Sequence, residues 1–256
     1  MNLLLVDIGN TQTVVGFDNG DTAETWRLST QSTRTTDEYR VLLASLLGSL
    51  VGEVDGAAVS SVVPPATSAL REAITTMVGS EPVVVGPGVR TGMSLRVDNP
   101  REVGADRIVN ALGAVERFGS PVVTVDFGTA ITVDLVGPDA EYRGGAIAPG
   151  LAIAADALVR STAALRRVDL AAPSHATGRS TVEAIQSGLI FGYAGLVDGL
   201  VARILREFGD DEVPVVATGG LAEVVISHCR RQIVYDGNLT LRGLRVVWER
   251  NRNPPG

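Results

Sequence analysis

Two short segments of the chain combine residue types and spacing that suit phosphate chemistry. Each has an apolar stretch, an aspartate and a glycine turn with threonine: residues 7–11 (DIGNT) and residues 126–130 (DFGTA). Glycine lets the backbone approach a ligand closely, and the side chains of Asn10, Thr11 and Thr129 can donate to phosphate oxygens. The aspartates can hold Mg²⁺ through water, or a monovalent cation. Each turn alone can equally be interpreted as an ordinary tight turn. The presence of two such turns favours a site that binds a nucleoside triphosphate between them.

A third candidate is the segment 104–107 (GADR), at or just inside a predicted helix start. An aspartate in the first helical turn commonly does no more than stabilise the helix dipole. Asp106 could instead be a carboxylate base that accepts a hydroxyl proton, beside Arg107 as the group that binds a substrate carboxylate. That pairing suits phosphoryl transfer to an alcohol, and the spacing alone leaves both interpretations open.

A fourth candidate is the segment 218–220 (TGG), which follows a predicted strand and opens a predicted helix. The N-terminus of a helix with glycine can accept an anion or the close approach of a nucleoside. Taken by itself, this segment is better interpreted as an ordinary strand–helix turn.

The composition limits which phosphate chemistry is possible. All 22 basic residues of the 256-residue chain are arginine. Without lysine there can be no Walker-A loop, no Schiff base and no protein-kinase strand lysine. A phosphate site must therefore use backbone N–H groups, hydroxyls, arginine or a metal. The formal net charge of −7 argues against a nucleic-acid partner, because such a partner needs a basic surface.

The other reactive side chains favour structural roles. His175 and His228 lack zinc-site spacing, Cys229 has no second cysteine to pair with, and Ser60 and Ser61 lie in no nucleophile elbow. The apolar N-terminal run lacks the basic region of a signal peptide. No stretch reaches the roughly 18 uninterrupted apolar residues of a membrane span. We therefore expect a cytoplasmic protein with no membrane partner.

The elements that must position these groups form a partial repeat. Residues 3–17 and 122–136 are both strand–turn–strand patterns, and aligning Asp7 with Asp126 also aligns Gly9 with Gly128 and Val14 with Val133. An offset near half the chain suggests two copies of one α/β unit. We predict halves at 1–117 and 118–256, each a mixed sheet with flanking helices, a cleft between them, and a closing helix able to pack back on the first half.

Hydrophobic periodicity and capping signals predict the individual elements. Thr35 and Glu38 have the spacing of a capping box, and the long helix 181–208 is predicted to break near Gly192 and Gly195. The predicted helices are 35–46, 67–78, a helical region from 99, 151–161, 181–208 and 239–250. The predicted strands are 25–28, 56–63, 82–85, 122–126, 131–135, 213–217 and 233–235, and the tail 251–256 is predicted to be disordered.

Eight motifs in this order and spacing run through nearly the whole chain. They are DIGNT (7–11), RTTDEY (34–39), NPREVGADR (99–107), DFGTA (126–130), GGAIAPG (144–150), STVEAIQSG (180–188), TGG (218–220) and LTLRGL (239–244). In these motifs the chain resembles the type III pantothenate kinases, which belong with acetate and sugar kinases, actin and the heat-shock chaperone ATPases. The resemblance implies duplicated ribonuclease-H-like halves, in agreement with the repeat.

The resemblance also implies an activity. The family phosphorylates the hydroxyl of pantothenate from ATP to give 4'-phosphopantothenate, the first step of coenzyme A biosynthesis. It implies ATP, Mg²⁺ and a monovalent cation, K⁺ or NH₄⁺, as cofactors. It further implies a homodimer with the substrate pocket near the interface.

Particular residues receive roles by the same resemblance. Asp106 would be the general base, Asp126 would bind the monovalent cation, and Asp7 would hold Mg²⁺ through water. The implied ATP-binding residues are Asp7, Ile8, Gly9, Asn10, Thr11, Gln12, Thr13, Val14, Thr129, Gly219 and Gly220. The implied substrate-binding residues are Val97, Gly104, Ala105, Asp106, Arg107 and Thr181.

One position departs from the family pattern. Val97 stands where the family commonly has a tyrosine that lines the pantothenate pocket, and valine lacks both the phenol hydroxyl and the ring area. Two alternatives therefore stay open: a kinase of the same fold that acts on another small hydroxy compound, or a non-catalytic nucleotide-binding accessory or regulatory protein.

Overall fold

The computed structural model describes residues 1–20, 22–162 and 165–252. In this part of the chain ten strands and seven α-helices alternate, with short 3₁₀ turns at Gly48–Glu53 and Pro100–Glu102. The strands are β1 (Leu3–Ile8), β2 (Gln12–Asp18), β3 (Ala23–Ser29), β4 (Gly56–Ser61), β5 (Val83–Val84), β6 (Val122–Phe127), β7 (Ala130–Val136), β8 (Tyr142–Pro149), β9 (Val215–Thr218) and β10 (Val234–Tyr235). The helices are α1 (Thr36–Leu47), α2 (Pro64–Val78), α3 (Ala105–Phe118), α4 (Leu151–Ser161), α5 (Thr181–Phe208), α6 (Ala222–Ile226) and α7 (Leu239–Arg252).

Residue contacts divide the chain into two compact units. The first unit consists of Met1–Ser94, Asp98–Arg117 and Asn238–Gly256, and the second of Leu95–Val97 and Phe118–Gly237. This division assigns α7 to the first unit. The boundary of the duplicated halves at residues 117 and 118 stays a prediction.

The first unit is built on a five-stranded sheet with the order β3-β2-β1-β4-β5. The strands β1, β2 and β3 pair antiparallel, whereas β4 and β5 continue in parallel from β1. Strand side chains alternate between faces, so Leu4, Val6 and Ile8 share one face and pack with Tyr39 of α1 and Leu70 of α2 in an apolar core.

The second unit repeats this topology. Its sheet has the order β8-β7-β6-β9-β10, again with two antiparallel pairings on one side of the central strand and parallel pairings on the other. Val123, Val125 and Phe127 of β6 face a core formed with α5, which contributes Val197 and Val201. The predicted duplication of one α/β unit is confirmed in strand order and direction.

The predicted alignment of the two hairpins at a constant offset is wrong in the strands that follow the turns. Asp7 pairs with Val14 across the first hairpin, whereas Asp126 pairs with Thr132 across the second. The structural counterpart of Val14 is therefore Thr132, and Val133 is one residue further on. The second hairpin has the shorter connection, so a constant offset cannot hold through both turns.

The first helix confirms its predicted start. Thr35 caps α1, with its side chain accepting the N–H of Glu38 while the Glu38 carboxylate accepts the N–H of Thr35. The buried face of α1 carries Tyr39 and Leu43, whereas Val41 is 69% exposed. The RTTDEY motif thus fixes where this helix begins.

Two predicted helix limits need correction. The helix α5 runs unbroken through Gly192 and Gly195, because glycine weakens a helix without interrupting its hydrogen bonds. The helix α7 continues through Asn251 and Arg252, where a disordered tail was expected. Asn251 ties its end to the preceding segment by donating to the carbonyl of Arg90 at 2.9 Å, and the rest of that tail, 253–256, lies outside the described residues.

Within the described residues, α5 alone is long and apolar enough to cross a membrane by length and composition. A core helix outside any membrane has the same composition. Ile190 and Val197 of α5 are buried in the core of the second unit, and Asp198 accepts the backbone N–H of Arg230 at 2.8 Å. These contacts favour a core helix, and the absence of a membrane partner stays a prediction.

Glycines allow α7 to pack closely within the first unit. A β-carbon on Gly16 would lie 2.6 Å from Leu241, and one on Gly113 of α3 or Gly243 of α7 would overlap the backbone of the other helix. The hydroxyl of Thr240 in α7 also donates to Oδ1 of Asn110 in α3 at 2.6 Å. The helix that carries the GADR motif is therefore held by α7.

Candidate active site

The first turn connects β1 to β2 in the first unit. The N–H of Gly9 donates to the carbonyl of Gln12 at 3.0 Å, which closes the turn. Asn10, Thr11 and Gln12 are exposed, and Asp7 at the end of β1 is half-buried. The turn therefore offers backbone and side-chain donors at the surface next to a carboxylate.

Two of the predicted ATP-binding residues have side chains that point into the protein. Ile8 and Thr13 are fully buried. Ile8 belongs to the apolar core, and the Thr13 hydroxyl shares a 2.9 Å hydrogen bond with the hydroxyl of Thr30. Any contribution of Ile8 and Thr13 to a ligand site is made by their backbone.

The Asp7 side chain lies on the sheet face that α7 covers. Leu5 and Asp7 alternate with the core residues of β1, and Leu5 pairs with Gly16, which packs on Leu241 of α7. Because α3 also packs on α7, the carboxylate and α3 lie on the same side of this sheet. The parallel partner of Asp7 is Ser60, a fully buried residue whose hydroxyl has no hydrogen-bond partner among the described residues.

The GADR segment forms the start of α3. Asp106 lies in the first turn of the helix, and its Oδ1 accepts the backbone N–H of Arg107 at 2.8 Å. A β-carbon on Gly104 would overlap this same carboxylate oxygen. Glycine at 104 therefore leaves the space into which the Asp106 carboxylate folds, and both Asp106 and Arg107 are half-buried.

The second turn connects β6 to β7 in the second unit. The N–H of Gly128 donates to the carbonyl of Ala130 at 3.1 Å, and the carbonyl of Thr129 accepts the N–H of Gly150 at 3.0 Å. A β-carbon on Gly150 would lie 2.5 Å from the carbonyl oxygen of Gly128. The GGAIAPG motif thus ends in a glycine that packs directly on the second turn.

The TGG segment packs on the same turn. Gly219 has a φ of +98°, a left-handed conformation that favours glycine, and a β-carbon there would lie 2.6 Å from the carbonyl oxygen of Phe127. Thr218 is the parallel partner of Asp126. The helix that follows, α6, begins only at Ala222 and has five residues.

Val97 and Thr181 lie elsewhere in the second unit. The N–H of Arg96 donates to the carbonyl of Tyr142 at 2.8 Å, which places the Val97 side chain over Gly144 of β8. Thr181 is the first residue of α5, directly after the N-cap Ser180. Val97 is therefore positioned by β8 and Thr181 by a helix start.

The predicted site residues divide between the two units. In the first unit the Asp7 carboxylate and the helix of the GADR segment lie on the same side of the sheet, and in the second unit the TGG segment packs on the second turn. The first unit contains Asp7, Ile8, Gly9, Asn10, Thr11, Gln12, Thr13, Val14, Gly104, Ala105, Asp106 and Arg107. The second unit contains Val97, Asp126, Thr129, Thr181, Gly219 and Gly220.

Three residues next to these groups were missed by sequence reasoning. Ser60 was considered only as a nucleophile, although a polar residue at the carboxyl end of a buried strand could have drawn attention to it. Gly150 ends the GGAIAPG motif, and the sequence gives no sign of its contact with the second turn. Thr30 gave no signal, because it lies 21 residues along the chain from the Gly9 carbonyl that it contacts.

The Cys229 thiol and both imidazoles lie outside the turns and segments described above. Burial, together with the nearby charge of Asp198, raises the pKa of the Cys229 thiol to about 12. His228 is exposed and contacts the Phe191 ring edge-to-face, and His175 is also exposed. Among the described residues no three or more His, Cys, Asp or Glu side chains cluster as metal ligands.

Solved structures with this fold define the class of protein. A Campylobacter jejuni protein described as a Baf family transcriptional activator aligns with a TM-score of 0.63 and 19% identity, covering 98% of this chain and 100% of that one. A glucokinase of the ROK family from Streptomyces griseus, solved with glucose and AMPPNP, aligns with a TM-score of 0.56 and 16% identity over 99% and 100%. The predicted duplicated ribonuclease-H-like, actin-like fold is confirmed.

The particular family follows from the sequence comparisons. A family model of type III pantothenate kinases matches residues 3–203. A type III pantothenate kinase from Streptomyces avermitilis is 49% identical over 260 aligned residues, which cover 97% of this chain and 98% of that protein. The chain belongs to the type III pantothenate kinase family, and the predicted resemblance is confirmed.

Proposed function

We propose that this protein transfers the γ-phosphoryl group of ATP to the hydroxyl of pantothenate and so forms 4'-phosphopantothenate for coenzyme A biosynthesis. The observation that carries this conclusion is 49% identity over 97% of the chain to a type III pantothenate kinase. The arrangement of the Asp106 carboxylate at the start of α3 supports it, because transfer to an alcohol needs a proton acceptor. No observation favours a different hydroxy substrate or a non-catalytic role.

In this mechanism Asp106 is the general base. Its Oδ1 is held by the N–H of Arg107, and its other oxygen accepts the proton of the substrate hydroxyl as the oxygen attacks the γ-phosphorus. The bond to the leaving oxygen breaks, and ADP departs. Gly104, Ala105 and Arg107 bind the substrate, with the Arg107 guanidinium on its carboxylate, and the family resemblance adds Val97 and Thr181 to the proposed substrate-binding residues.

The proposed nucleotide-binding residues are those that the family resemblance implies. Backbone N–H groups and exposed side chains of residues 9–14 donate to the phosphates, as does Thr129, and Gly219 and Gly220 allow the nucleoside to approach closely. Phosphoryl transfer depends mainly on positioning and on neutralising charge. A site built from backbone donors therefore needs no lysine.

The residues beside the two aspartates fit hard cations. Asp7 lies next to Ser60 and Asp126 next to Thr218 in the parallel ladders, and carboxylate and hydroxyl oxygens are donors that such cations accept. The buried hydroxyl of Ser60 has no hydrogen-bond partner among the described residues. We assign Mg²⁺ to Asp7 through water and K⁺ or NH₄⁺ to Asp126, and the cations neutralise phosphate charge when bound.

The proposal extends to assembly and location. The protein forms a homodimer in which the substrate pocket lies near the interface, and it works in the cytoplasm without nucleic-acid or membrane partners. Sedimentation at micromolar concentration tests the dimer: a mass of about twice 26.7 kDa is expected, and a monomer at all concentrations would contradict it.

The test of the mechanism compares two aspartates in equivalent helical positions. Asp106 and Asp37 each lie in the first turn of a helix. Asp106→Asn should lower the rate of pantothenate-dependent ADP release about 10²- to 10⁴-fold, because the base is lost. Asp37→Asn loses a helix-dipole interaction and an exposed ion pair with Arg40, both remote from the proposed chemistry, so its rate should stay within about twofold of wild type.

Three outcomes would contradict the proposal in different ways. Full turnover in Asp106→Asn would show that Asp106 is not the base. Faster ADP release with another hydroxy acid or a sugar than with pantothenate would show that this other compound is the preferred substrate. ATP binding in calorimetry without turnover of any tested hydroxy compound would indicate a non-catalytic nucleotide-binding accessory protein.

A further inference from the structure

The structure points to Thr30, directly after β3, as a positioning residue for the phosphate-binding turn. We propose that its hydroxyl and N–H hold the first turn in the orientation that receives the phosphates of ATP. The inference rests on the proposed function, since it assigns the first turn to the nucleotide. Thr30 lies outside the motif that forms the turn.

Thr30 makes two hydrogen bonds to the turn and a third to Thr13 of β2, the strand that follows the turn. Its hydroxyl donates to the carbonyl of Gly9 at 2.8 Å, and its N–H donates to the carbonyl of Thr11 at 3.0 Å. The third bond joins its hydroxyl to that of Thr13 at 2.9 Å. A hydroxyl has one proton, and Thr30 gives its proton to Gly9, so Thr13 is the donor in this bond.

These bonds set the direction of the donors that the turn presents. A trans peptide is planar, and its carbonyl and N–H point in opposite directions. Because the Gly9 carbonyl is held toward Thr30, the N–H of Asn10 in the same peptide points away from it. The turn is thus organised before the nucleotide arrives, which reduces the ordering cost of binding.

The RTTDEY motif holds Thr30 in place and so acquires a role in binding. Arg34 donates to the carbonyl of Ser29 at 3.3 Å, and its guanidinium lies 5.4 Å from the centre of the buried Tyr39 ring. The capping box of Thr35 and Glu38 then fixes the start of α1. The segment between β3 and α1 is therefore anchored next to Thr30.

The experiment compares Thr30→Val, which removes the hydroxyl, with Thr30→Ser, which keeps it. Thr30→Val should raise both the KM for ATP and the Kd for Mg²⁺–AMPPNP in calorimetry about tenfold, since it deletes two hydrogen bonds. The KM for pantothenate should stay within about twofold. Thr30→Ser keeps the hydroxyl and should retain most of the nucleotide affinity. If only the size of the side chain mattered, the smaller serine would not retain it.

The matched control is Thr25→Val in the same strand β3, whose side chain is likewise half-buried. Its AMPPNP affinity should equal that of wild type. AMPPNP binding by Thr30→Val within twofold of wild type would overturn the proposal, as would Thr30→Ser binding as weakly as Thr30→Val.

Two further arms keep the result decisive. If Thr30→Val does not fold, Thr13→Val replaces it. The Kd of Thr13→Val for AMPPNP is then expected to be at least about threefold above that of Thr25→Val, because one hydrogen bond is lost; equal values would overturn the proposal.

The same measurements separate this proposal from the proposed function. If wild type binds AMPPNP but releases no ADP with pantothenate, the proposed function fails while the calorimetric comparison still decides the role of Thr30. A wild-type protein that binds no AMPPNP overturns both.

Discussion

The two aspartate turns end equivalent strands, but they are supported in different ways. The first turn is held by hydroxyl groups, with Thr30 bonded to Gly9 and Thr13. The second turn is held by glycines, because Gly150 and Gly219 bring their backbones against it where no β-carbon would fit. The same strand topology thus supports its aspartate turn by hydrogen bonds in one unit and by backbone packing in the other.

This difference implies different tolerance to substitution. A hydrogen bond that is lost can be replaced in part by water at a half-exposed site, whereas a β-carbon forced against backbone has no such relief. Substitutions that affect the second turn should therefore mainly lower the stability of the protein. Substitutions that affect the first turn should mainly weaken ligand binding.

The largest expected effect is that of Gly219→Ala. A β-carbon at 219 combines a positive φ with a 2.6 Å approach to Phe127, so the second unit should lose about 3 kcal/mol or more of stability. Both tryptophans, Trp26 and Trp248, lie in the first unit, and Cys229 lies in the second. Alkylation of Cys229 should accelerate while the tryptophan fluorescence transition in urea stays at its wild-type midpoint; unchanged alkylation would contradict the packing argument.

The aspartates at the two turns should separate by cation. Asp126→Asn should raise the K⁺ concentration needed for half-maximal ADP release about tenfold, and Asp7→Asn should do the same for Mg²⁺, because each variant loses a carboxylate charge beside its cation. Titrating each cation against both variants measures this. An identical response of the two variants to both cations would remove the assignment of one cation to each turn.

A smaller effect is expected from Gly9→Ala in the first turn. A β-carbon on Gly9 would lie 3.1 Å from the carbonyl oxygen of Gln12, and its backbone has no positive φ. The first unit should lose about 1 kcal/mol, measured as a shift of the tryptophan transition in urea. A loss as large as that of Gly219→Ala would show that both turns depend on glycine equally.

The smallest expected effect on activity is that of Cys229→Ser, which should leave ADP release unchanged. Because the pKa of Cys229 is raised to about 12, about one thiol in 10⁴ is ionised at pH 8, and native alkylation should be slow and should accelerate with rising pH. The pKa of this thiol is higher in the folded protein than in the unfolded chain. Its contribution to the free energy of unfolding is therefore fully present below about pH 9 and is lost as the pH rises toward 12. Asp198→Asn should speed alkylation, and rapid labelling of wild type at pH 8 would contradict this burial.

Local signals predicted the parts of the fold that depend on neighbouring residues. The capping box of Thr35 and Glu38 and the bounds of α4 needed only short-range spacing, and the duplication of the α/β unit followed from the repeated hairpin. The burial of Thr13 and the support of the second turn by Gly150 and Gly219 depend on residues far apart in the sequence. No spacing rule encodes such tertiary contacts, so Thr30 and Ser60 emerged only from the folded chain.

The glycine contact between α3 and α7 has a consequence for the order of folding. The helix α3 is synthesised before the second unit, but α7, which holds it, follows that unit in the sequence. Domains commonly fold as they leave the ribosome, beginning with the N-terminal one. The second unit is complete before α7 is synthesised, and the helix with Asp106 gains its support only when α7 emerges, so a chain stalled before residue 239 would lack a fixed position for the proposed base.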